Sequence, residues 1–421
     1  MACFPAARVE GVSQLERTPT RCDRLYLDNA ATQRLRREAW EAMEQVAGAL
    51  NPAGQYASGR AARRHLEEAR EQIAELLGAD PVEVVFTGSG TEANNIAIQG
   101  LAFGSRARTG GANDGARGIA SSDIEHPAVL ESVQWLTGTT KHPGFGFRRI
   151  LLPVDEQGRV RAEEWLAGAS SEGADPETLS LITCMWANNE TGAIQTIEPL
   201  AEFAREQGIP FHTDAVQAVG HVPVDFRSLG AATLAASAHK FGGPTSVGLL
   251  LARRDAPILS PVRGGGQERG LRSGTVNVVG AMGAARALGA SIRDMEQEAA
   301  RARSIRDRIW EAARNIPEVR RWTTEPALPG HLHLGFPGAE GDSLIMLLDG
   351  RGVDASTGSA CSAGVNRASH VLAAMGVDAQ VARGALRLTI GPDVTLEDAQ
   401  RVAGELPGVV EQARAAGMAF G

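Results

Sequence analysis

Short apolar runs that end in small or polar residues recur through the first two thirds of the chain, at 82–87, 118–122, 179–187, 209–214, 233–237 and 247–251. Stretches of helical period lie between several of them, so the pattern predicts strands alternating with helices. That alternation is satisfied by an α/β fold with a mostly parallel sheet covered on both faces. In such sheets functional side chains collect just past the carboxyl ends of the strands, which directs attention to the polar clusters that follow the apolar runs.

Before the first run, Trp40, Met43, Val46 and Leu50 share one helical face, and a second amphipathic helix runs through Leu66, Ala69, Ile73 and Leu76 to a stop at Gly78. Residues 104–118 are rich in Gly, Arg and Ala and read as a surface loop. An Ala/Arg/Glu-rich helical segment at about 281–315 bridges to a second lobe, and residues 1–24 have no period and read as an extension. The expected division is an extension with part of the small domain at 1–36, a large domain at 37–294, and a small C-terminal domain at 295–421.

The composition narrows the function. No apolar run approaches the roughly 18 residues of a membrane span. Arg8, Glu10, Glu16 and Arg17 interrupt the N-terminus where a secretion signal needs a continuous apolar stretch, so a cytoplasmic location is expected. A net charge of −8 offers no basic footprint for nucleic acid. Cys3, Cys22, Cys184 and Cys361 are scattered without metal-ligand spacing, so neither a disulfide framework nor a metal site is expected. Lysine is nearly absent. Lys141 and Lys240 are the only two, and any chemistry that needs an amine must use one of them.

Three clusters sit at strand ends. Phe86-Thr-Gly-Ser-Gly-Thr-Glu leads through a Gly-rich turn into a helix whose free N–H groups, with the Thr91 hydroxyl, suit a phosphate; the same residues also suit a plain tight turn. Phe211-His-Thr-Asp-Ala-Val-Gln ends a strand on Asp214, either an acid with a task or a helix cap. Ala236-Ser-Ala-His-Lys-Phe-Gly-Gly places Lys240 before a Gly-Gly turn, where backbone can approach a ligand closely, whereas Lys141 lies in a polar loop. An amine for a Schiff base, a carboxylate for a pyridine nitrogen and a phosphate anchor are together what a pyridoxal-phosphate site requires.

Further blocks carry a resemblance. Tyr26-Leu-Asp-Asn-Ala-Ala-Thr, Thr91-Glu-Ala-Asn-Asn, Glu125-His126, Asn188-Asn-Glu-Thr-Gly, His212-Thr-Asp-Ala-Val-Gln, Ser237-Ala-His-Lys, Gly264-Gly-Gly-Gln-Glu-Arg-Gly-Leu-Arg-Ser-Gly-Thr-Val-Asn and Gly358-Ser-Ala-Cys-Ser-Ala-Gly resemble, in order over about residues 25–395, the signatures of cysteine desulfurases. The branch is the one serving iron–sulfur and nitrogenase assembly, within the class-V aminotransferases of the fold-type-I pyridoxal-phosphate enzymes. The resemblance implies a large domain with a mostly parallel seven-stranded sheet, a smaller α+β domain and an obligate homodimer. It implies Lys240 as the Schiff-base lysine, Asp214 as partner of the ring nitrogen, and His126 as the ring-stacking proton shuttle. It places Gln217 and Asn189 near the ring hydroxyl and substrate, and Thr91, Ser237 and His239 on the phosphate. Thr275 is implied as a phosphate contact from the partner subunit, and Arg387 as the clamp on the substrate carboxylate.

Cys361 lies among small residues with little to pack, which suits a thiol on an exposed loop; Cys184, within Leu-Ile-Thr-Cys-Met-Trp, suits a core. Conversion of L-cysteine to L-alanine with a persulfide on Cys361, passed to an acceptor protein, is the implied activity. The alternative is a pyridoxal-phosphate lyase that cleaves C–S or C–Se bonds of a cysteine derivative and does not need Cys361. His126 before Pro127 also reads as a simple helix cap. The chain departs from the family at Thr245 and Ser246, where Lys-Gly is usual, at Pro392, where arginine is common, and in the N-terminal extension.

Overall fold

The computed structural model describes residues 24–108, 117–168, 176–358 and 369–420; Cys3, Cys22 and Cys361 lie outside them. A seven-stranded sheet runs in the order Val84–Thr87, Gly248–Ala252, Thr233–Ser237, Phe211–Asp214, Leu179–Thr183, Gly118–Ser122, Arg148–Leu152. All neighbours are parallel except the two pairs made by Gly248–Ala252. Because both of that strand's pairings are antiparallel, Val84–Thr87 runs in the same direction as the parallel strands.

The two-residue period of each strand divides the core between the two faces. Leu249 and Leu251 join Phe211 and Leu288 in one cluster, while Leu250 and Ala252 join Val85 and Ala93 in another. Helix Gly90–Arg108 packs on five of the strands, and the segment read as a loop from 104 begins inside this helix. The strand Arg148–Leu152 was not expected from the sequence. It is an edge strand with Arg148, Arg149 and Leu151 exposed, and charge on an unpaired edge removes the apolar run that marks its neighbours.

One expected helix face is corrected. Helix Arg37–Gln45 buries Ala39 and Ala42, with Val46 behind them, and leaves Trp40 at 57% exposure. Small side chains are what let it lie close against the 36-residue helix Val278–Ala313. Helix Ala57–Leu77 does end at Gly78, which takes a left-handed φ of 66°.

A separate apolar cluster organises the remainder. A three-stranded antiparallel sheet, in the order Ala385–Thr389, His331–Gly335, Arg320–Arg321, packs with helices Gly341–Asp349 and Leu396–Phe420. Leu25 and Leu27 belong to this cluster, and Leu25–Tyr26 pairs in parallel with Val353–Asp354, so the start of the described chain is folded onto its C-terminal part. Among the described residues no helix is long and apolar enough to cross a membrane.

Candidate active site

The strands ending at Thr87, Ser122, Thr183, Asp214 and Ser237 release their chains at the same edge of the sheet. Lys240 follows the last of these in a tight turn, Ala238–Lys240. Its Nζ donates to the carbonyls of Ala30 at 2.6 Å and Ala31 at 2.8 Å. Burial, helped by the nearby Arg387 cation and opposed by Asp28 and Asp214, pushes its pKa from 10.5 down to about 8. The Ala30 carbonyl also accepts from Gln217 Nε2 at 2.9 Å, so this loop links Lys240 to Gln217.

Asp214 is buried, and each carboxylate oxygen has a donor: Asn94 Nδ2 at 2.8 Å to Oδ2 and the Val216 N–H at 3.0 Å to Oδ1. His126 caps helix Pro127–Thr137, its Nδ1 accepting the Ala128 N–H at 3.1 Å. That bond leaves the proton of the neutral ring on Nε2. Burial lowers the His126 pKa, with the Asp214 carboxylate opposing. The capping role and a place in the site therefore coexist.

Beside it, Glu125 is fully buried, accepting the Met185 N–H at 2.9 Å and the Ser122 hydroxyl at 3.0 Å. Burial raises its pKa to about 7.

Arg387 reaches the site from the antiparallel sheet. Its Nη2 meets Asp28 Oδ1 at 2.6 Å and its Nη1 donates to the Asn189 carbonyl at 2.8 Å, while Nε is buried with no partner among the described residues. The turn that offers this carbonyl is built by Asn188, whose Oδ1 accepts the N–H groups of Glu190 and Thr191, both at 2.9 Å.

At the opposite side, Gly90 opens helix Gly90–Arg108, and a Cβ there would lie 2.8 Å from Val216 Cγ2 and 3.1 Å from Ser237 Cβ. Thr91 stands exposed in the first turn, and Ser237, beside Gly90, is buried. His239 Nδ1 pairs with Thr32 Oγ1 at 3.2 Å, and burial takes its pKa down to about 4.

A model of the class-V aminotransferase family matches residues 25–402. An IscS-like cysteine desulfurase of Mycobacterium tuberculosis is 44% identical over 398 residues, covering 94% of this chain and 98% of the relative. A solved NifS-like protein superposes with a TM-score of 0.81 at 34% identity, covering 92% of this chain and all of the other. SspA in complex with cysteine superposes at 0.73 with 30% identity, covering 87% of this chain and 99% of the other.

The chain belongs to the cysteine desulfurases of the class-V aminotransferase family.

That family depends on pyridoxal phosphate, and the residues of this cysteine desulfurase fit the group. An amine of depressed pKa, a buried carboxylate with a free lone pair on each oxygen, and a helix start too crowded for a Cβ are brought together. Thr275 stands apart from them. It lines a different cavity, of about 550 Å³, with Arg70, Glu268 and Arg269. Cys361 is outside the described residues, and Cys184 is fully buried.

Asp28, the Ala30 and Ala31 carbonyls, Asn94, His212, Glu125 and His370 are neighbours of the site that were given no role from the sequence. His370 Nε2 lies 3.0 Å from the Glu125 carbonyl. Several of these stand inside recognisable blocks, but nothing in chain spacing tells which partner each meets.

Proposed function

We propose that this protein takes the sulfur of L-cysteine onto Cys361 as a persulfide, releases L-alanine and passes the sulfur to an acceptor protein. The observation that carries the reading is the placement of the Lys240 amine within electrostatic reach of both Arg387 and Asp214. An amine, a carboxylate-gripping cation and a buried acid within electrostatic reach of one another match an α-amino acid held for chemistry at its α and β carbons.

Lys240, Asp214, Thr91, Ser237 and His239 would hold pyridoxal phosphate, with Gln217 and Asn189 beside it and Thr275 contributed by the partner subunit of a homodimer. When bound, the cofactor supplies an electron sink that makes the substrate α-proton acidic and the C–S bond labile. Arg387 grips the substrate carboxylate, pre-oriented by Asp28 and the Asn189 carbonyl. Lys240 Nζ, with a pKa of about 8, accepts and returns a proton near neutral pH. His126 holds a proton at Nε2, because Nδ1 is occupied by the helix cap.

The Cys361 thiolate attacks the substrate sulfur. An S–S bond forms, the C–S bond breaks, and the electron pair returns to the β carbon, which takes a proton to give alanine. A thiol of ordinary pKa near 8.5 is only about 3% ionised at pH 7, so a proton acceptor or an electropositive neighbour is needed at Cys361; His126, with its proton on Nε2, takes part in proton shuttling as a donor. Residues 37–294 form the cofactor lobe and 295–421 the lobe carrying Cys361, with 1–36 shared between extension and small lobe; the protein works in the cytoplasm.

Mass spectrometry after treatment with L-cysteine tests the reading. One or more sulfur atoms are expected on Cys361, and none on Cys361→Ser with cofactor absorbance retained. Alanine release that survives Cys361→Ala would assign a lyase instead.

A further inference from the structure

We propose that Thr233, His212 and Asn94 form a hydrogen-bond relay of fixed polarity that positions Asp214, a proposal that rests on reading Asp214 as the partner of the cofactor ring nitrogen. The relay crosses three elements. Thr233 opens one strand, His212 sits directly opposite it in the neighbouring parallel strand, and Asn94 projects from helix Gly90–Arg108. Thr233 Oγ1 lies 2.8 Å from His212 Nδ1, His212 Nε2 lies 2.9 Å from Asn94 Oδ1, and Asn94 Nδ2 lies 2.8 Å from Asp214 Oδ2. Thr233 and His212 have no exposed surface, Asn94 has 1% and Asp214 4%, so no water competes for these bonds.

The direction of every bond follows from one end. A carboxylate only accepts, so Asn94 must turn its NH₂ toward Asp214 and its carbonyl toward His212. That carbonyl also only accepts, which puts a proton on His212 Nε2. Burial, opposed by a backbone contact at Thr233, holds the imidazole neutral with a pKa of about 3, so with the proton on Nε2 the bare Nδ1 accepts a hydrogen bond from the Thr233 hydroxyl. Reversing the amide would set two oxygens against each other at Asp214, whichever tautomer His212 then took. No second arrangement satisfies all four groups, and a half-satisfied buried chain is costly.

The consequence falls on Asp214. With Asn94 fixed on Oδ2 and the Val216 N–H on Oδ1, the carboxylate cannot rotate about its own axis without losing a donor. Each oxygen keeps a further lone pair for a protonated ring nitrogen. Asn94, His212 and Thr233 are thus positioning residues, acting on the ring only through Asp214. The adjacent strand supplies a control. Thr183 pairs opposite His212 on its other side, and its buried hydroxyl has no partner among the described residues, so a methyl in its place removes nothing from the relay.

The test is made on the holoenzyme with ¹⁵N-labelled histidine, the His212 signal being assigned by its loss in His212→Gln. At neutral pH the ring is expected to show a protonated Nε2 and a bare Nδ1; a proton on Nδ1 overturns the relay. Asn94→Leu should shift the absorbance maximum of the bound cofactor and weaken cofactor retention about tenfold to a hundredfold, the scale of a lost hydrogen bond to a charged group. Thr233→Val should weaken it less, and Thr183→Val not at all. If Asn94→Leu holds the cofactor as tightly as the wild type with an unmoved band, the positioning role is refuted, and the wild-type tautomer decides the relay even where a variant fails to fold. Wild-type protein that shows no cofactor absorbance after incubation with pyridoxal phosphate overturns the cofactor reading itself, with the tautomer still measurable on that protein.

Discussion

The amine of Lys240 offers a direct measurement, because the chain has only one other lysine. In protein labelled with ¹³C,¹⁵N-lysine and stripped of cofactor, two side-chain signals are expected, and Lys141→Arg assigns them. The Lys240 signal should titrate near pH 8 rather than near 10.5. At about 1.36 kcal/mol per unit, the displacement from 10.5 to about 8 corresponds to about 3 kcal/mol. At pH 7 it raises the neutral fraction from about three in ten thousand to about one in ten, roughly a 300-fold gain in reactive amine.

The sign for stability follows from linkage. The charged form is disfavoured in the folded state, so the penalty is full below about pH 8 and fades as pH rises toward 10.5. Lys240→Met should therefore relieve about 3 kcal/mol of desolvation penalty in the cofactor-free protein at pH 7 and lose two hydrogen bonds of a mostly charged amine at Ala30 and Ala31, about 1.5–3 kcal/mol each, so no net stabilisation is expected at that pH. The causes can be separated by neighbours: Arg387→Met should move the titration upward and Asp28→Asn downward, since the cation depresses and the carboxylate supports the charged amine. A Lys240 titration above about pH 10, or neighbour shifts of the opposite sign, would refute the reasoning.

Glu125 should make stability fall as pH rises from about 4.5 to about 7, since burial favours its neutral form; Glu125→Gln should flatten that part of the profile, read by urea unfolding at several pH values. The buried pair of Arg70 with Glu268, at 2.7 Å and 2% exposure of the acid, predicts that Arg70→Met costs about 3–5 kcal/mol by stranding the carboxylate; Arg70→Met combined with Glu268→Gln should recover much of it in the same unfolding assay. Gly192, at φ 79° with a Cβ that would fall 2.6 Å from His331 Cβ, should not accept alanine without loss; Gly192→Ala is expected to raise KM for L-cysteine by displacing the Asn189 carbonyl from Arg387.

Much of the large sheet was legible because its strands are buried on both faces and so appear as apolar runs; Thr233–Ser237 and Gly118–Ser122 are such strands. Arg148–Leu152 was not, because an edge strand exposes its charges. The face of helix Arg37–Gln45 was misjudged for a related reason. Large apolar side chains dominate a periodicity count, yet it is the alanines that permit close helix contact, and Trp40 is left outside. Within the site, Asn94 and His212 could be seen as members of polar blocks, but a relay is a property of three elements meeting.

What the sequence determined by itself is the inventory: one lysine at a strand end, an acid at another, an arginine in a late strand, and a cysteine among small residues. Those follow from residue identity and local period, which chain order carries. How these groups behave is set by folding. Asp28 meets Arg387 across 359 positions of chain, and the amine of Lys240 loses water and gains charged neighbours from distant segments. Desolvation and Coulomb forces depend on distance in space, and the fold alone sets that distance.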